Sequence, residues 1–137
     1  MYNLPKIIQI ILITIYMKQI QYLLTAIVLV VLDSIYLHTI KNYFTYQIKI
    51  VQGKPVTINF LAVILCYVFL VFGLNYFIIK DKKSVMDAFL LGLTIYSVYE
   101  LTNMALLQNW SWLTVFMDTI WGATLFGLTT MIVYKFV

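Results

Sequence analysis

Four long apolar stretches, 21–40, 57–79, 85–107 and 111–134, constrain this chain more than any other feature. Each holds 20 to 24 residues, the length a helix needs to cross a hydrocarbon core of about 30 Å. Lipid offers no hydrogen-bond partner to the backbone, so only helices or closed barrels span it. None of the stretches shows the alternation of a barrel strand. The expected fold is therefore all-α, a polytopic membrane protein built as a bundle of four transmembrane helices. Composition agrees: 10% of residues are charged, against about 25% in soluble domains. A mean hydropathy of +0.97 also excludes intrinsic disorder, which requires low hydrophobicity.

All nine basic residues are lysines, and they give a net charge of +4. They stand singly or flank the apolar stretches, and arginine is absent, so no nucleic-acid surface is expected. The lipid bilayer is the expected partner, with a second copy of the chain or another membrane protein as the candidate protein contact. Six lysines fall on the side of the 80–84 loop and the chain ends, against three on the other. The positive-inside rule then puts both termini in the cytoplasm. Cys66 is the only cysteine, so no internal disulfide can form.

The connections are short. Residues 41–56 mix Lys41, Lys49 and Lys54 with Tyr43, Phe44 and Tyr46, which suits an amphipathic segment lying in the interface. Ser84 and Asp87 have the spacing of a capping box for the third helix. Residues 7–17 are apolar but too few to cross a bilayer. Residues 1–16 are read as an interfacial extension and 17–137 as the transmembrane domain, with Met17 a candidate alternative start.

Two of the five acids are explained by a polar loop (Asp81) and a helix cap (Asp87). Asp33, Glu100 and Asp118 lie inside three different stretches, where an acid costs about 2.5–3.5 kcal/mol and is expected to face a bundle interior or cavity. Counting from the stretch ends, each lies roughly 10–12 Å below the same membrane face. Tyr36 follows Asp33 by three residues. Ala88, Gly92, Tyr96, Glu100 and Asn103 form one stripe at i+3 and i+4 steps, and Asp118 shares a face with Trp121 and Gly122. The pairs Ala88-xxx-Gly92 and Ala123-xxx-Gly127 predict close helix contacts. Asp33, Glu100, Asp118, Asn103, Tyr36 and Trp121 are the candidate binding residues. Asn59, Tyr96, Tyr99 and Thr102 are secondary. Three carboxylates could hold a divalent cation through oxygen ligands; no cofactor is implied by any motif. His38 is turned about 140° from Asp33 and is read as interfacial. Trp110 and Trp112 are read as an aromatic belt, and the uncharged second stretch as a lipid-facing wall.

The segments Leu32-Asp33-Ser34-Ile35-Tyr36-Leu37, Tyr99-Glu100-Leu101-Thr102-Asn103 with Trp110, and Asp118-Thr119-Ile120-Trp121-Gly122 resemble domain-of-unknown-function family 2177 over about residues 17–137. Tyr36, Glu100 and Ser111 stand where Trp, Asp and Pro are usual in that family. The resemblance implies a small four-helix membrane protein and supplies no activity. From the residues themselves, the leading expectation is an intramembrane carboxylate pocket for a proton, cation or small polar ligand. The rivals are a membrane enzyme acting on lipid, although no nucleophile or hydrolase motif is present, and a structural protein whose acids bond helices together.

Overall fold

The computed structural model describes residues 4–137. Four helices follow one another: α1 (Lys6–Gln52), α2 (Phe60–Leu74), α3 (Val85–Leu106) and α4 (Trp112–Val133). The last turns of α2 continue as a π-helical segment, Asn75–Ile79. Each of the four is long and apolar enough to cross a membrane, counting α2 with its π-helical end.

The expected second, third and fourth stretches match α2 to α4 closely. The first does not stop near residue 40. α1 runs unbroken for 47 residues, so residues 6–16 of the expected extension and 41–52 of the expected interfacial segment are drawn into one helix. The reason is local: no glycine or proline lies between Pro5 and Gly53. Gly53 ends the helix in the left-handed region at φ 69°, returning its N–H to the Lys49 carbonyl. A side chain with a Cβ adopts that conformation only at a cost.

The other ends are equally legible. Asn59 caps α2 by accepting the Ala62 N–H. Ser84 and Asp87 form the expected reciprocal capping box at α3. Ser111 accepts the Leu113 N–H at the start of α4. Lys82 and Asn109 take positive φ in the two tight turns. Tyr134 donates to the Lys83 carbonyl (2.7 Å) and Lys82 Nζ to that of Val137 (2.8 Å), which ties the C-terminal end to the 80–84 turn.

α3 and α4 form the closest pair. Gly92 meets the Gly122 backbone, and the Tyr96 ring covers Gly122, while Ala88 and Ala123 are fully buried. The small-residue pairs thus do what their spacing predicts. Leu29, Leu74, Ile79, Leu125, Phe126 and Val133 fill the interior beside them. α1 packs against both α4 and α2. Its inward side runs through Gln21, Thr25, Leu29, Asp33, Tyr36, Tyr43 and Gln47, of which Thr25, Leu29, Asp33 and Gln47 are buried, and that side is mostly polar.

Candidate intramembrane carboxylate network

The three acids inside the spans converge through their partners. Asp33 on α1, 8% exposed, accepts from the Tyr67 hydroxyl on α2 (2.6 Å) and from Trp121 Nε1 on α4 (2.8 Å). One turn along α1, the Tyr36 hydroxyl donates to Asp118 Oδ1 on α4 at 2.5 Å. The Tyr36 ring stacks on Trp121 with centroids 4.5 Å apart and planes 11° from parallel. Glu100 on α3 is fully buried. Its Oε2 accepts from Trp110 Nε1 at 2.8 Å, and its carboxyl lies within hydrogen-bonding reach of Asp118. Glu100 Oε1 meets no donor among the described residues. A single run of contacts therefore passes from Tyr67 through Asp33, Trp121, Tyr36 and Asp118 to Glu100 and Trp110, with all four helices contributing.

The chemistry of this run is specific. Buried carboxylates are stable only where donors or cations meet them, and no lysine lies in the four apolar stretches. Neutral donors therefore carry the load: two indole N–H groups and two phenol hydroxyls. Asp33 is satisfied on both oxygens. Glu100 and Asp118 face each other with one donor apiece, and a hydrogen bond between two carboxyl groups needs a proton on one of them. Among the described residues, no three His, Cys, Asp or Glu side chains come together as a metal-ligand set.

Asp33, Glu100, Asp118, Tyr36 and Trp121 are thus brought together. Tyr96 packs its half-buried ring on Gly122, and Asn103 is half-buried just beyond Glu100 on the same helix. Asn59 is exposed and occupied by its capping bond. Tyr99 is 55% exposed, and Thr102 bonds the Val98 carbonyl of its own helix. These last three stand apart from the network. His38 is exposed, as its offset from Asp33 implies.

Two readings need correction. Trp110 is not a belt residue: it is 6% exposed and donates to Glu100, whereas Trp112, 65% exposed, fits the belt. The second span is not merely a wall, because Tyr67 reaches Asp33 and Asn75 reaches α1. A phenol in an uncharged span needs a hydrogen-bond partner, and that was the available signal for Tyr67.

Polar clusters flank the network on both sides. Toward the 80–84 turn, Gln21 Nε2 (3.2 Å) and Thr25 Oγ1 (3.4 Å) donate to Asn75 Oδ1, and Asn75 Nδ2 donates to the Val71 carbonyl (2.9 Å). Toward the other face, the Tyr43 and Thr114 hydroxyls meet at 2.8 Å, and Gln47 Nε2 donates to the Asn109 carbonyl at 2.7 Å.

Fold and site together define a four-helix integral membrane protein with a buried acidic network. Residues 18–135 match the family described as predicted membrane protein (DUF2177), and the chain belongs to that family. No curated protein and no solved structure matches it.

Proposed function

We propose that the network is a proton-binding site in which Glu100 and Asp118 share one proton across their contact. The observation that carries this reading is Glu100 Oε1, buried without a donor among the described residues, in a carboxyl group that interacts with that of Asp118. Two like charges so close in a low dielectric do not coexist easily, and a shared proton removes the conflict while completing the hydrogen bonding. Asp33, with a donor on each oxygen, is the member suited to remain ionised. A hard cation is the less favoured occupant, because both Asp33 oxygens already accept hydrogen bonds. In this reading both termini are cytoplasmic, from the lysine bias.

The test is infrared spectroscopy of the protein in lipid at neutral pH. A C=O stretch of a protonated carboxyl is expected, sensitive to deuterium exchange. It should disappear in both Glu100→Gln and Asp118→Asn, where an amide replaces the shared proton, and survive in Asp33→Asn. Absence of the band in the parent protein, or its persistence in both pair variants, refutes the proposal and leaves the acids as bonds between helices.

A further inference from the structure

α1 and α2 leave a cleft of about 720 Å³ between them. Its walls are two rows at i+4 spacing: Tyr22, Ala26 and Val30 on α1, and Ile64, Val68 and Phe72 on α2. The lining is apolar, and it includes Tyr67, which donates to Asp33. The volume lies in the range of ligand sites, roughly 300–1,000 Å³. In a bilayer, a cleft of this kind meets hydrocarbon and not water.

Both rows end in a lysine on the same side of the bundle. On α1 the next position toward the N-terminal end is Lys18, one turn before Tyr22. On the α2 side Phe72 stacks on Tyr76 with centroids 5.5 Å apart, and Lys80 Nζ sits 4.2 Å from the Tyr76 ring centre. The Gln21–Asn75 bond holds these two ends level. The α1 wall from Tyr22 to Val30 is about 12 Å long at 1.5 Å per residue. That is too short to seat a helix of a second copy across the membrane, but it accommodates a length of alkyl chain.

We propose that this cleft binds one anionic phospholipid, with an acyl chain between α1 and α2 and the phosphate between Lys18 and Lys80. Lysines near the headgroup layer attract anionic lipid by about 1 kcal/mol each, roughly fivefold in affinity per residue. The cleft touches the carboxylate network at Tyr67, whose hydroxyl donates to Asp33, but neither reading depends on the other.

Native mass spectrometry of the detergent-purified protein, titrated separately with dioleoylphosphatidylglycerol and dioleoylphosphatidylcholine, tests it. One phosphatidylglycerol should bind at least tenfold more tightly than phosphatidylcholine. The double variant Lys18→Gln/Lys80→Gln should bring the two lipids to within about twofold, while Lys83→Gln, off both walls, keeps the preference. Ala26→Phe fills the cleft and should reduce retention of both lipids. Equal binding of the two lipids by the parent protein overturns the proposal, as does a preference unchanged in the lysine double variant. Both lysines are exposed, so that variant decides the question even if Ala26→Phe fails to fold.

Discussion

Replacing Gly92 by alanine loads one methyl group onto the tightest point of the bundle. Its Cβ would stand 2.4 Å from the Gly122 carbonyl oxygen and 2.9 Å from Phe126 Cβ. Ordinary contact begins at 3.4 Å, so the α3 and α4 backbones must part by about 1 Å at this level. No rotamer change relieves the clash, because the obstructing oxygen belongs to a helix backbone. Overpacking of this kind costs about 1–3 kcal/mol, offset by up to about 1 kcal/mol from better helix propensity. With that offset in full, a net loss of up to about 2 kcal/mol is expected. Gly73 is the matched control: it is buried, yet a Cβ there meets nothing within 4 Å. Gly73→Ala should keep only the propensity gain, at most about 1 kcal/mol. Equilibrium unfolding in mixed micelles by dodecyl sulfate, followed by tryptophan fluorescence, measures both. If the two variants shift stability in the same direction by the same amount, the close α3–α4 approach is not what holds the pair together.

Two further substitutions probe the network itself. Trp110→Phe removes the donor to Glu100 Oε2 and leaves a buried carboxyl short of partners, an expected loss of about 1–3 kcal/mol; the same unfolding assay reads it, and a neutral result would mean that Glu100 finds another donor. Tyr67→Phe deletes the hydroxyl linking α2 to Asp33, at a typical interhelical cost of about 0.6 kcal/mol and at most about 1.7 kcal/mol. Labelling of the neighbouring Cys66 by a membrane-permeant maleimide should accelerate as α2 loosens, and an unchanged rate would show that α2 is held elsewhere.

The acids were the most legible part of the site. A carboxylate inside an apolar stretch has few explanations, and with five acids in the chain each could be assigned a place. Their donors were less visible. Tyr67 and Trp110 are residue types equally at home in lipid, at an interface or in a core, and only the packing of α2 and the turn at Asn109 decides among these. The small-residue contacts followed from spacing because Gly92 and Ala88 leave room that only another helix can fill. α1 extends beyond the apolar stretch 21–40 for a thermodynamic reason: hydropathy marks where a helix enters water, not where it ends. Helix termination needs a breaker, and Gly53 is the first after Pro5.

That length has a mechanical consequence. Forty-seven residues make a rod of about 70 Å at 1.5 Å per residue. Tilted by 40°, the steep end of what membrane helices adopt, it still projects about 54 Å along the bilayer normal. A whole bilayer with its headgroups measures about 40–45 Å. α1 must therefore emerge from the membrane, and its N-terminal turns expose Ile7, Ile10, Ile13 and Met17, from 50% to 73% accessible. A thicker bilayer covers more of them and a thinner one strips them. Because the same rod carries Asp33 and Tyr36, a change of tilt moves two of the groups that join α1 to α4, and bilayer thickness becomes a variable acting on the carboxylate network.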